Sequence, residues 1–400
     1  MIPTDFLLTE ELAALRGRVR AFVDDRVIPV EEQVIADDAR DDHAVLRSLQ
    51  AEARAAGLWT PHLPREHGGL GLGPMGMCAL FREMGRSMVG ARAFNCDAPD
   101  QGNMDLLVKT AAPAVRERWL GPLVRAEITS AFCMTEPAPG AGADPSNLRT
   151  TARPDGDGWV IDGHKWYSTG AGRASFLIVL ARTSDDPRGG ASMFVVDRHA
   201  DGVEHVRDVD VMGPPLLAHR EAELKFHGVR VGSDAILGGV GDGFRLAQAR
   251  LVPARLTHCM RWLGLAARTL ELCRPYLTTR RSFGARLADH QLVQQKIADG
   301  VAAVHAGNLL TLHCATLLER GLGQEARAYS SIAKNAVART LCQVLDDAIQ
   351  VHGALGYSDD VPFERWYRWS RAARIADGPD EVHTALVARE FFAGKLELLV

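Results

Sequence analysis

Residues 131–169, AFCMTEPAPGAGADPSNLRTTARPDGDGWVIDGHKWYST, decide the reading of this chain. The stretch begins as an apolar run, breaks into Pro137-Ala138-Pro139-Gly140-Ala141-Gly142, and returns as a strand-like run ending in Trp166-Tyr167-Ser168. Glycines let backbone N–H groups approach a polar ligand closely, Thr135 and Ser168 set hydroxyls at the ends of apolar runs, and Trp166 offers a flat face. Such a wall suits an isoalloxazine ring, which needs a stacking partner and hydrogen bonds along its polar edge. Taken singly, C-M-T-E-P also reads as a plain strand end and W-Y-S as an ordinary buried aromatic strand.

The residues before this stretch carry helical spacing. Leu8, Leu12, Leu15, Val19, Phe22 and Val23 recur three and four apart, with Pro29 expected to end that helix. A glycine- and proline-rich connection over 57–69 leads into another helix from about 74 to 86. Gly71-Leu72-Gly73-Pro74-Met75-Gly76 has the form G-x-G-x-x-G, but no strand pattern precedes it and Pro74 sits inside it. It reads as a tight loop into a helix rather than a dinucleotide cradle. From 132 to 237 the pattern becomes short β-type runs, Trp159-Val160-Ile161, Phe176-Leu177-Ile178-Val179-Leu180, Met193-Phe194-Val195-Val196 and Leu224-Lys225-Phe226, separated by Asp, Gly and Pro. After Gly241-Asp242-Gly243-Phe244 the helical period returns, predicting long helices over 244–279, 291–319 and 325–352. The expectation is a mainly α chain with a central β-domain: an N-terminal helical domain 1–130, a middle β-domain 131–237 and a C-terminal helical bundle 238–400.

Four hundred residues, 46% of them hydrophobic, suffice for a large core without covalent staples. A formal charge of −4 offers no electrostatic reason to expect nucleic acid or an anionic membrane as main partner. The clustered Arg365, Arg368, Arg371 and Arg374 read as one charged helix face. The opening MIPTDFLLTEELAALRGRVR is acidic where a signal peptide would be basic and then apolar, and no unbroken apolar stretch of spanning length is evident. A cytoplasmic location without membrane insertion is expected. Seven cysteines, an odd number with no C-x-x-C pair, suggest neither a disulfide framework nor a metal site.

The second informative stretch is ARIADGPDEVH, residues 373–383. Taken in order with C-M-T-E-P and W-Y-S, it resembles the acyl-CoA dehydrogenase family, whose flavin loop reads C-x-T-E-P and whose next strand carries W-I-T or W-W-S. Residues 94–104, FNCDAPDQGNM, and 376–383, ADGPDEVH, are similar to the subgroup of mammalian acyl-CoA dehydrogenase family members 10 and 11 in their dehydrogenase region.

The resemblance implies FAD as cofactor and a base for the α proton of a thioester. Most of the family uses a Glu; the aligned residue is Asp377, one methylene shorter, between the small Ala376 and Gly378. The run D-G-P-D is also good N-cap chemistry for a following helix. A second family solution places a Glu at the position of Ala254, so Asp377 has no rival there, and Arg255 matches the family Arg that holds the catalytic and thioester regions. The resemblance puts Phe132, Met134, Thr135, Gly142, Ala143, Trp166 and Ser168 on the flavin wall. It puts Arg280 and Ser282, with His290 and Gln291, on the FAD pyrophosphate and adenosine, and Gln350 and Gly353 against the FAD of another subunit. Pro379 and Glu381 join the cofactor set, while Ala143, Arg255 and Gly378 face substrate. Three departures mark this chain: the extra Ala138-Pro139, Ala143 for the usual Ser, and Asp377 itself.

The implied activity is α,β-dehydrogenation of an acyl-CoA, with the β hydride going to flavin N5, electrons passing to an electron-transfer flavoprotein, and a homo-oligomer that is at least a dimer. The same motifs are compatible with a flavin oxidase or a tailoring dehydrogenase acting on a carrier-bound acyl group or another carbon acid. A non-catalytic flavin- or nucleic-acid-binding homologue is the remaining reading, and the retained acid at 377 and the acidic net charge count against it.

Overall fold

Phe176–Arg182 is apolar at six successive positions, and a strand alternates its side chains between two faces, so both faces must be covered. The computed structural model, which describes residues 8–186, 190–212 and 220–397, meets that demand with two separate cores. Its strands are β1 (Ser130–Cys133), β2 (Thr151–Asp155), β3 (Gly158–Thr169), β4 (Phe176–Arg182), β5 (Ala191–Asp197), β6 (Val203–Val209), β7 (Glu221–Val231) and β8 (Ile236–Leu237). They form one sheet in the order β6-β7-β3-β2-β4-β5-β8, with β1 added parallel to β4. Phe176, Ile178 and Leu180 point into a cluster with Met104, Leu107, Leu120 and Leu123 of the helical segments. Leu177, Val179 and Ala181 point the other way, into a cluster with Ile161, Leu224, Phe226 and Val229 of β3 and β7, so the sheet curls over its own second core. β2 and β3 are joined by the two-residue loop Gly156-Asp157, in which Gly156 takes φ +61°, the left-handed geometry that such hairpins need.

By contact density the described chain forms two units, each built from non-contiguous segments. The unit holding the sheet comprises residues 33–71 and 92–251. The other comprises 1–32, 72–91 and 252–400 and is helical: Glu10–Phe22, Pro74–Met84, most of the 37-residue helix Gly243–Thr279, Gln291–Glu319, Gly323–His352, Phe363–Ser370 and Asp380–Phe392. Four of these helices meet closely at two glycines. A Cβ on Gly307 would stand 3.0 Å from both Leu263 and Val337, and one on Gly264 would stand 2.2 Å from the carbonyl oxygen of Arg82. Any side chain there would drive the helices apart.

One sequence expectation is corrected, and three features go beyond what the sequence pattern signalled. Pro29 does not end the helical path: it occupies an early position of the single 3-10 turn Ile28–Val30, where its missing N–H is not needed, and the chain continues into Glu31–Asp38. Residues 94–104 are not one helix: the helix starts at Asp100, after a loop in which Asn95 takes φ +52°. The strands β2 and β6 escaped notice because both are short of apolar residues; their outer positions are exposed or half-exposed. Finally, Gln291–Glu319 is by length and composition apolar enough to cross a membrane, with one third of its apolar window buried. Leu292, Val301 and Leu309 on it are exposed.

Candidate active site

Two groups of residues singled out in the sequence are organised by the fold, one in each unit. In the helical unit, Asp377 lies between the 3-10 turn Arg371–Arg374 and the helix Asp380–Phe392. Its φ is +54° and that of Gly378 is +105°. Asp tolerates the left-handed region better than longer side chains, so the short acid suits this turn; Gly378 is demanded twice, because a Cβ there would also stand 2.9 Å from His383 Nε2. The N-cap of the following helix is Pro379, not Asp377, so the capping role open in D-G-P-D is not what the Asp377 side chain does.

The turn is held by its carbonyls. The Asp377 carbonyl accepts from Arg255 Nε at 3.1 Å and from His383 Nε2 at 3.2 Å, and the Gly378 carbonyl accepts from Lys334 Nζ at 2.8 Å. Asp380, the first residue of the helix, gathers Arg374 Nε at 2.8 Å and Arg339 Nε at 3.4 Å, with Lys334 at 3.7 Å. Burial, reinforced by the charges of Arg255 and Lys334, pushes the His383 imidazole down to about 4, so it is neutral and donates from Nε2 while Nδ1 lies 2.9 Å from the Ser331 hydroxyl. Burial also lowers the Lys334 ammonium, against the attraction of Asp380, and lowers the Arg255 guanidinium, against that of Asp377. With its backbone so tied, Asp377 leaves its carboxylate only 19% exposed, and its buried Oδ2 has no hydrogen-bond partner. His258 Nε2 stands 3.4 Å from that oxygen. Arg255, His258 and Arg261 are three apart on the helix Gly243–Thr279 and so share one face. That R-x-x-H-x-x-R spacing was visible in the sequence and went unread, as did Lys334 and His383.

In the sheet unit, β1 alternates: Ala131 and Cys133 are buried in the sheet core, while Phe132 and Met134 face the other way and are half-buried. The Arg250 guanidinium lies 4.1 Å over the Phe132 ring and donates from Nε to Asn103 at 3.1 Å. After β1 the chain is fastened to β3 by the Trp166 N–H donating to the Thr135 carbonyl at 3.1 Å. Trp166 is half-buried with Tyr167 against its edge, ring centroids 5.0 Å apart, and Tyr167 takes φ +47°. Ser168 Oγ is buried with the Cys133 thiol, a weak partner, beside it. A half-buried indole next to a weakly partnered buried hydroxyl fits a flat ring with a polar edge.

The loop that follows is shaped by Glu136. Its carboxylate accepts from Ala141 N at 3.2 Å, Arg149 N at 2.7 Å, Thr150 N at 2.8 Å and Lys165 Nζ at 2.8 Å. Burial pushes this carboxyl up, but the Lys165 charge and the Thr150 donors outweigh it and hold it below the usual range. The glycine this arrangement requires is Gly140, whose Cβ would stand 2.4 Å from Glu136 Oε2; a Cβ on Gly142 would meet nothing within 4 Å. Gly142 and Ala143 are both exposed.

The remaining predicted residues lie on the surface of the helical unit. Arg280 and Gln291 are exposed; Ser282 is on a two-residue ladder with Ala285, and the Ser282 carbonyl lies 3.1 Å from His290 Nε2, which closes the turn bearing the 97% exposed Phe283. Gln350 is exposed, and Gly353, at φ +62°, ends its helix; Pro379 and Glu381 flank Asp380 at the start of the last helix. His352 next to Gly353 is a packing residue, stacked on Tyr276 at 4.4 Å. All seven cysteines are free, and no cluster of three metal-ligating side chains occurs among the described residues.

Comparison with known proteins returns three domain models in chain order: acyl-CoA dehydrogenase N-terminal domain at residues 9–127, middle domain at 131–227 and C-terminal domain at 241–392. "Probable acyl-CoA dehydrogenase FadE2" of Mycobacterium tuberculosis is 39% identical over 398 residues, covering 96% of both chains. "Acyl-CoA dehydrogenase family member 11" of Mus musculus is 36% identical over 93% of this chain, which spans 49% of that relative's length. A solved Mycobacterium abscessus structure, of a suspected acyl-CoA dehydrogenase, superposes with a TM-score of 0.92 at 37% identity, covering 97% of this chain and 99% of that one.

Proposed function

The chain belongs to the acyl-CoA dehydrogenase family, FAD-dependent oxidoreductases that act on acyl-CoA, and from that premise we propose that Asp377 removes the α proton of an acyl-CoA thioester. The observation that carries this reading is a division of labour inside one residue. The Asp377 backbone is fixed by Arg255 and His383, while its Oδ2 is buried and has no hydrogen-bond donor. A carboxylate whose lone pairs are all occupied cannot take a proton without breaking its contacts; this one can. Arg255 and Lys334 supply positive charge around the turn and keep the acid from drifting as it changes charge.

Phe132, Met134, Thr135, Trp166 and Ser168 are the residues that would hold the FAD ring, with Arg280, Ser282 and Gln291 reaching its phosphate and adenosine end. Bound FAD supplies the acceptor for the β hydride. An electron-transfer flavoprotein is the proposed electron acceptor, a homo-oligomer the proposed assembly, and the cytoplasm the proposed location. The exposure of Arg280, Gln291 and Gln350 supports a cofactor contact made with a second copy of the chain.

The test is anaerobic mixing of the purified yellow enzyme with a panel of acyl-CoA thioesters, following loss of flavin absorbance. Wild-type protein is expected to bleach with at least one thioester, and Asp377→Asn to bleach about 10²–10⁴-fold more slowly. Normal bleaching by Asp377→Asn would remove the assignment of the base.

A further inference from the structure

Four observations about His258 belong together. Its Nε2 stands 3.4 Å from Asp377 Oδ2, the oxygen without a hydrogen-bond partner. Its Nδ1 stands 2.7 Å from Arg261 Nη2. Its ring is stacked on Trp262, centroids 5.4 Å apart and planes 25° apart, and Trp262 is itself buried. All three residues lie on the same helix as Arg255.

A guanidinium has only donors, so the Arg261 contact obliges Nδ1 to accept and leaves the imidazole proton on Nε2, the nitrogen that faces the acid. We propose that His258 is a positioning residue for Asp377: a neutral imidazole, locked in the Nε2–H form by Arg261 and held in plane by Trp262, whose N–H dipole points at the carboxylate from 3.4 Å without closing a hydrogen bond and favours its ionised form. The proposal rests on Asp377 being the base. It assigns His258 no contact with substrate or cofactor, and it needs no proton to leave the imidazole.

The other charged or titratable groups around the turn are accounted for. Arg255 and His383 are spent on the Asp377 carbonyl, and Lys334 on the Gly378 carbonyl and Asp380. Asp380 is neutralised by Arg374, Arg339 and Lys334, and Arg327 acts on Arg255 through its charge. Among these, His258 is the group whose polar atom approaches the Asp377 side-chain oxygen rather than its backbone.

The experiment is the pH profile of anaerobic bleaching by one active thioester, on FAD-loaded protein, for wild type, His258→Phe, His258→Gln and Asp377→Asn. His258→Phe keeps a ring for Trp262 and removes the N–H. Its acidic limb is expected to move up by about one pH unit, with the high-pH rate within about 3-fold of wild type. His258→Gln keeps a side-chain N–H and is expected to restore the limb. An unmoved limb in His258→Phe, or a loss equal at every pH, overturns the proposal while leaving the base in place. Normal bleaching by Asp377→Asn sinks the base assignment instead, so the two failures are distinguishable. Independently of turnover, ¹⁵N-histidine spectra of the wild-type holoenzyme, with the His258 signals assigned by difference against His258→Gln, should show a protonated Nε2 and an unprotonated Nδ1 from about pH 6, below the ordinary histidine pKa of about 6.5, up to about pH 9. An Nδ1–H tautomer or an imidazolium there overturns the locked donor.

Discussion

Glu136 is a buried acid and Asp377 a largely buried one, both in motifs that stand out in the sequence, and the fold uses them in opposite ways. Glu136, in the sheet unit, spends its side chain: three backbone N–H groups and the fully buried Lys165 occupy its oxygens, and the loop after β1 is wrapped around it. Asp377, in the helical unit, spends its backbone: Arg255 and His383 hold its carbonyl, and a side-chain oxygen is left unsatisfied. The difference teaches how to tell a staple from an acid left open to react. Burial alone does not separate them; the separation comes from which part of the residue carries the hydrogen bonds.

The largest effect expected from this contrast is Asp377→Asn. Its cost falls almost wholly on thioester-driven bleaching, by the factor given above, while urea unfolding should match wild type within roughly 0.5 kcal/mol. A large stability loss would make Asp377 a second staple and erase the contrast. Glu136→Gln should do the reverse. It strands Lys165 without a counter-charge and is expected to cost about 3–5 kcal/mol in urea unfolding. Adding Lys165→Met should recover part of that loss, since the stranded ammonium is then gone.

Acid titration sharpens the comparison, because the two regions lose stability in different windows. Folded His383 has its pKa pushed down to about 4 from 6.5, so as pH falls below 6.5 the unfolded chain takes up a proton that the folded chain refuses. Stability contributed by neutral His383 is present above pH 6.5 and lost between 6.5 and 4. His383→Gln should flatten that limb by one proton, or about 1.4 kcal/mol per pH unit, in thermal or urea unfolding followed against pH. The Glu136 carboxyl is held below its ordinary 4.5, so its contribution is present above that value and declines as pH falls further. On the acid side, Glu136→Gln should therefore change the slope below 4.5. If His383→Gln left the upper limb unchanged, the turn around Asp377 would not be held by a neutral histidine. The smallest expected effect is Ser168→Ala. Removing a hydroxyl whose protein partner is only the weakly bonding Cys133 thiol should leave stability within about 0.5 kcal/mol but weaken FAD retention by roughly 2- to 10-fold, about 1 kcal/mol, measured by fluorescence of released flavin.

The long helices were legible because apolar residues at spacings of three and four persist for thirty or so residues: the Gln291–Glu319 helix coincides with its expected bounds, and Gly243–Thr279 and Gly323–His352 begin one and two residues early. β4 was legible because it is apolar on both faces, whereas β2 and β6, exposed along much of their length, carry no such signal. Within the site, Asp377 stood out by its motif, yet D-G-P-D left a capping role open until the cap proved to be Pro379. His258, Lys334 and His383 were unreadable as a group. They lie on three different helices, and nothing local in a sequence states that three helices converge on one turn.

Residue types and their local order were enough for the element pattern and the family, because periodicity, turn chemistry and motif spacing act between neighbours along the chain. Long-range contact assigned the roles. Which carboxylate is consumed by donors and which keeps an oxygen open depends on groups as distant as Arg255 and Asp377, brought to 3.1 Å only when helices pack. Hydrogen-bond capacity is shared out in space rather than along the chain, so the same acid is a staple or a base according to what folding sets beside it.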